Sequence, residues 1–282
     1  MTTDTDARKL FEYNMRAPLD AETSLMGEHD GCLWYRASFN GGEGRRIPGV
    51  FVVARDIAGP QPTVMLQHGA GTSKYAVFVR ACIDLMASAG FCCMAVDAIG
   101  HGDRGDPLID ALAKDGPAWL RRGTLENVAA NVVDFRRTVD YLETRPEVDP
   151  TRLAYVGSSM GGMLGAVFSA VEPRIKAVVL RCSGSRLASR RWEQVADPEA
   201  RQWLRRMSEL TDPAAFVGMI SPRPLLMLNN LQDEVISVES AEALFNAAGD
   251  PKEQRWFPGD HRGNREVHAA ETWSFLSEAV AA

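Results

Sequence analysis

One short run in this chain has the residue types and spacing of a chemical group held ready to react: Gly157-Ser158-Ser159-Met160-Gly161-Gly162. It fits the pattern G-x-S-x-G. An apolar run, Leu153-Ala154-Tyr155-Val156, precedes it, and Met163, Leu164 and Ala166 to Phe168 continue apolar after it. That context separates it from an ordinary glycine-rich turn, because a serine on a sharp strand-to-helix turn is lifted clear of the sheet. Such a turn packs too tightly for side chains on either side, hence the glycines. Ser159 Oγ would then face the positive end of the following helix. The Met160 N–H would point into the same space, where it could bind a developing oxyanion.

A serine hydroxyl is a weak nucleophile at neutral pH and needs an adjacent base. The five histidines are His29, His68, His101, His261 and His268. Where such a turn is used, acid and base follow the serine in the chain, which leaves His261 and His268. His261 lies in the loop Phe257-Pro258-Gly259-Asp260-His261-Arg262-Gly263, directly after a strand-like run at 254–257. His268 falls within 266–282, which reads as a closing helix, and is expected on that helix's surface. His261 is therefore the expected base. The acid is expected after the run Leu225-Leu226-Met227-Leu228, where Asp233 and Glu234 stand side by side. Asp233 is preferred, because the next residue turns away as the loop enters Val235-Ile236. Asp260 adjoins His261, but neighbouring side chains usually diverge. A second oxyanion donor is expected from His68-Gly69-Ala70-Gly71, with the Ala70 N–H first and Gly71 second. His68, Asp97 and His101 read as loop anchors.

These residues must be carried by a scaffold. Short apolar runs at 64–67, 91–96, 153–156, 177–180 and 225–228, each bounded by turn residues, are what strands buried on both faces look like. Runs at 32–38 and 50–54 flank Gly41-Gly42-Glu43-Gly44 and read as an antiparallel pair. Residues 1 to about 28 are polar and mixed, with a short helix expected near 8–15. The clearest helix spans 125–142: Leu125, Val128, Val132, Phe135, Val139 and Leu142 share one face, with Thr124 as N-cap. Alternating strands and helices predict a doubly wound, mostly parallel α/β sheet of about eight strands in one domain, 1–282. Ligands bind at the carboxyl ends of such strands, where all the residues above would lie.

Composition narrows the field. Of 282 residues 45% are hydrophobic, enough for a full core, and the net charge of −6 comes with no basic block, which argues against nucleic acid as a partner. No run approaches the roughly 18 apolar residues of a membrane helix, and the first residues lack the pattern of a secretory leader. The five cysteines, Cys32, Cys82, Cys92, Cys93 and Cys182, sit mostly in apolar segments without metal-site spacing. They read as reduced core residues of a cytoplasmic protein that needs no disulfide or metal staples.

Taken together, His68-Gly69-Ala70-Gly71, Asp97 to Gly102, the turn at 157–162 and the Asp233 and His261 loops resemble the α/β-hydrolase superfamily in order and spacing. Segments 148–157 and 220–226 are similar to its dienelactone hydrolase and prolyl-oligopeptidase-like branch. Dienelactone hydrolases proper carry cysteine where this chain has Ser159. The resemblance implies an α/β-hydrolase fold and cofactor-free hydrolysis of small or medium carboxylic esters by Ser159, His261 and Asp233. Thioesterase, amidase or peptidase, acyltransferase and carbon–carbon hydrolase chemistry use the same three groups, and a ligand-binding protein on this fold is the non-enzymatic alternative. Two segments, 103–123 and 184–215, exceed the minimal fold. The second is expected to be a small helical cap, in which Trp192, Trp203 and Met207, with Leu204 beside them and Gly71 opposite, wall a substrate pocket. The alternative is that these residues pack on the core or form a homodimer contact.

Overall fold

The computed structural model describes residues 9–42, 44–56, 59–105, 125–188, 193 and 195–280. The side chains of Leu125, Glu126, Leu204 and Met207 are outside the description, as are Thr124, Trp192 and most of the 103–123 segment. The strands are β1 (Glu22–His29), β2 (Cys32–Asn40), β3 (Arg46–Ala54), β4 (Gln61–Gln67), β5 (Cys92–Val96), β6 (Val148–Ser158), β7 (Ile175–Arg181), β8 (Leu225–Asn230) and β9 (Lys252–Phe257). The helices are α1 (Val77–Ser88), α2 (Leu125–Glu143), α3 (Met160–Val171), α4 (Pro198–Thr211), α5 (Val238–Ala247) and α6 (Arg265–Ala279).

All nine strands form one sheet in the order β1-β2-β3-β5-β4-β6-β7-β8-β9. The first four in that order pair antiparallel, and the rest pair parallel. The count exceeds the expected eight by β1, in the stretch read as mixed and polar. β1 is an edge strand, largely exposed along its length, so it lacks the apolar pattern by which strands are recognised and is held mainly by its ladder to β2. The short helix expected over 8–15 falls partly outside the described residues. From Leu10 the chain turns, and Phe11 is buried in the core.

The continuous apolar runs have a simple cause. Successive strand residues face opposite sides of the sheet, and both sides are covered. Met65, Val178, Leu180, Leu225 and Met227 join one core with Val128, Val132, Phe135 and Val139 of α2 and Leu164 and Phe168 of α3. Val64, Leu66, Val179, Leu226 and Leu228 join the other with Phe78, Cys82, Ile83 and Met86 of α1 and Leu276 of α6. Burying each such side chain contributes about 1.5–3 kcal/mol. The predicted α2 stripe is fully buried from Val128 through Leu142.

The chain runs from β4 outward to β5 and then crosses back over β4 to β6. Strand order therefore reverses at β4, the place where such sheets open a crevice at their carboxyl ends. The loops after β4 and β6 flank it. Among the described residues, no helix is long and apolar enough to cross a membrane.

Candidate active site

Ser159 is the residue between β6 and α3, and its φ of 54° and ψ of −115° lie where non-glycine residues are strained. The strain is held by packing. A Cβ built on Gly161 would lie 2.6 Å from the His68 carbonyl oxygen, and one on Gly157 would run into the Gly161 carbonyl. Only glycine lets the turn close this far against β4. The Ser159 N–H donates to the Arg181 carbonyl of β7 at 2.8 Å. As the first residue of α3, Met160 carries one of the four N–H groups without an intrahelical acceptor. The β4 loop packs on the same spot: a Cβ on Gly69 would sit 3.3 Å from Ser159 Cβ.

The expected partners converge on Ser159. Its Oγ is 3.0 Å from His261 Nε2, and His261 Nδ1 is 2.7 and 2.9 Å from the two Asp233 oxygens. Nδ1 therefore carries the proton toward Asp233, and Nε2 is left to accept from Ser159. Burial pushes the Asp233 carboxyl up, but the hydrogen bond from His261 and the N–H groups of Ile236 and Val235 outweigh it, and Asp233 titrates below 3.8. Glu234 instead accepts the His261 backbone N–H at 3.1 Å. The Asp260 carboxylate turns back to Arg262 N.

The loop anchors are in place. His68 Nε2 accepts from Ala98 N at 3.1 Å, so Nδ1 donates to the Gly69 carbonyl at 2.8 Å. That ties the β4 loop to the β5 loop. Asp97 accepts from Lys74 N at 2.8 Å, Lys74 Nζ at 2.5 Å and Asp103 N at 2.9 Å. His101 is buried against the His68 ring.

His268 departs from expectation. It is fully buried, with Nδ1 accepting from Arg181 Nε at 2.9 Å. Burial and then the neighbouring guanidinium lower its pKa to about 3. The face of α6 that packs inward carries Ala269, Thr272 and Leu276 as well, and His268 on it meets Arg181 beneath. Sequence reasoning passed over Arg181 itself, although a charged residue closing the apolar run 177–180 was a signal. It also passed over Asn230 and Asn264, which brace the His261 loop: Asn230 Nδ2 donates to the Asp260 carbonyl at 2.6 Å, and Asn264 Nδ2 to Asn230 Oδ1 at 2.9 Å and the Pro258 carbonyl at 2.7 Å.

Of the expected pocket residues, Gly71 is exposed in the β4 loop. Trp203 on α4 is 44% exposed. Trp192 and the Met207 side chain lie outside the description. Among the described residues, one group has the side chains to hold a metal: Cys182, Asp233 and His261, whose ligand atoms lie within 4.8 Å of one another. Its Asp233 and His261 members are engaged with each other, so a metal there would have to break that pair.

A family model for acetyl xylan esterase (AXE1) matches residues 15–187, more than half of the chain. The chain belongs to the acetyl xylan esterase family. It is a carboxylic ester hydrolase of the α/β-hydrolase superfamily, as the motifs implied, while its likeness to dienelactone hydrolases stays a resemblance. The family match includes the β4 loop and the Ser159 turn and ends before Asp233 and His261. The esterase is 25% identical over 251 residues to the putative hydrolase YtaP of Bacillus subtilis (strain 168), covering 84% of this chain and 82% of that one. Its fold is that of the acetyl xylan esterase from Paenibacillus sp. R4, with a TM-score of 0.80 at 21% identity, covering 98% of this chain and 92% of that one. Acetyl xylan esterase 1 from Thermoanaerobacterium sp. JW/SL YS485 superposes with a TM-score of 0.76 at 18% identity, covering 98% and 93%.

Proposed function

We propose that Ser159, His261 and Asp233 are the catalytic triad of this esterase, and that it removes acetyl and other short acyl groups from small alcohols, acetylated sugars foremost. The observation that carries the reading is the unbroken line of hydrogen bonds from Ser159 Oγ through both imidazole nitrogens to Asp233. Ser159 Oγ attacks the ester carbonyl as His261 Nε2 takes its proton, and Asp233 stabilises the imidazolium. The oxyanion is held by the Met160 and Ala70 N–H groups. The alcohol departs with the proton from His261, and water, activated by the same imidazole, releases the acid and regenerates Ser159. The acetyl preference rests on the family. We infer that the insertion over 184–215, of which α4 is the described helix, acts as a cap, with Gly71 and Trp203 bounding the pocket; Trp192 and the Met207 side chain, expected beside them, lie outside the described residues. Five unpaired, buried cysteines support a cytoplasmic location.

The test is hydrolysis of p-nitrophenyl esters from acetyl to decanoyl, and of acetylated xylo-oligosaccharides, by the wild type and Ser159→Ala. We expect an optimum at acetyl and a loss of about 10⁶-fold in kcat in the variant. An active Ser159→Ala would overturn the triad, and an optimum at long chains would overturn the substrate.

A further inference from the structure

Arg181 ends β7 and is only 3% exposed. Among the described residues it makes no ion pair with a carboxylate, so its buried charge is solvated by hydrogen bonds to uncharged groups. Nε donates to His268 Nδ1 at 2.9 Å and one terminal nitrogen to Ser158 Oγ at 3.0 Å. The other terminal nitrogen donates to the carbonyls of His261 at 3.3 Å and Gly263 at 2.7 Å. The guanidinium carbon lies 5.1 Å from the Phe78 ring centroid, so α1 closes one side. The backbone carbonyl of the same residue receives the Ser159 N–H.

We propose that Arg181 is a positioning residue that holds His261 at attacking distance from Ser159; this rests on the triad reading above. One planar, rigid group joins the two halves of the site. It grips the His261 loop at the carbonyl of His261 itself and at that of Gly263 two residues on, and it grips the residue before the nucleophile. Asn230 and Asn264 hold the loop at residues 260 and 258, Glu234 at the His261 N–H and Gln232 at Gly259, but of these groups Arg181 alone also reaches the residue before the nucleophile. A fork of donors spread across four acceptors is what guanidinium supplies and ammonium does not. The role is geometric and acts through His261, so it bears on turnover rather than on substrate affinity.

The experiment compares wild type, Arg181→Ala, Arg181→Lys and Ser159→Ala on p-nitrophenyl acetate, with folding checked by near-ultraviolet circular dichroism at the assay temperature. Arg181→Ala should lower kcat about a hundredfold with KM nearly unchanged, the size of effect that follows a displacement of about 1 Å at a reacting pair. The rate at which a fluorophosphonate labels Ser159 should fall in step. Millimolar guanidinium chloride should restore part of the rate by filling the vacated space, and an equal concentration of sodium chloride should not. A purely structural role would lower the melting temperature without this split or this rescue. Arg181→Lys, should the alanine variant fail to fold, is expected to lose kcat at constant KM. Wild-type kcat in either folded Arg181 variant, or a loss confined to KM, overturns the proposal. Activity in Ser159→Ala would instead overturn the triad reading itself, so the two failures are distinguishable.

Discussion

Asp233 and Glu234 adjoin in the chain, and the geometry separates their parts by which atom of His261 each one meets. Asp233 receives the imidazole Nδ1–H through both oxygens, while Glu234 receives the backbone N–H. Replacing Asp233 by Asn would remove the charge that stabilises the imidazolium and invite the wrong tautomer. We expect Asp233→Asn to lower kcat by about 10⁴-fold. Glu234→Gln keeps an acceptor for the His261 N–H and should leave kcat close to wild type. Steady-state kinetics on p-nitrophenyl acetate decides between the two carboxylates. If Glu234→Gln proved the damaging change, the acid would be misassigned.

At the scale of elements, the site is made by neighbouring strands rather than by neighbouring residues. β4 and β6 pair in parallel from Gln61 to Gln67, so their carboxyl ends emerge together and bring Gly69 against Ser159. β8 and β9 do the same for the Asp233 and His261 loops. Within the long insertion one segment, α4 (Pro198–Thr211), is an α-helix. α4 begins at Asp197, whose side chain accepts from Ala200 N at 2.7 Å, and ends at Asp212. Trp203 stands on it, 44% exposed. The proposed cap role makes it matter for bulky acyl groups alone: Trp203→Ala is expected to leave acetyl turnover unchanged and to reduce kcat/KM for butyryl and longer esters. An unchanged chain-length profile would remove the cap role.

For the molecule as a whole, two buried histidines couple stability to pH. Burial lowers His68 to about 4 and His268 to about 3, against an ordinary 6.5. Below pH 6.5 the unfolded chain takes up protons at both positions while the folded chain does not, so stability falls with pH until the folded values are reached. Between pH 7 and pH 5 each histidine should remove about 2 kcal/mol. Two of them amount to a sizeable part of the 5–15 kcal/mol typical of a folded protein. His268→Asn, which keeps an acceptor for Arg181, should reduce the drop in denaturation free energy between these two pH values by about half. A drop as steep as that of the wild type would show that His268 is not the group responsible.

The sequence alone was sufficient for the order of the chemical groups along the chain, from the Ser159 turn to the Asp233 loop to the His261 loop, and for the buried strands and the α2 stripe. The turn, the strands and the α2 stripe are encoded locally, by glycine at a tight turn or by periodicity set by backbone geometry, and the Asp233 and His261 loops by their order after the serine and their place behind strand-like runs. It was silent on β1, because an exposed edge strand satisfied by backbone pairing needs no apolar pattern. It pointed the wrong way on His268, because a polar residue in a helix is read as surface unless its buried partner is known. That partner, Arg181, lies 87 residues away in the chain. Only the tertiary structure brings β7, the Ser159 turn and the His261 loop to one point, where a buried cation finds four acceptors that no local pattern announces.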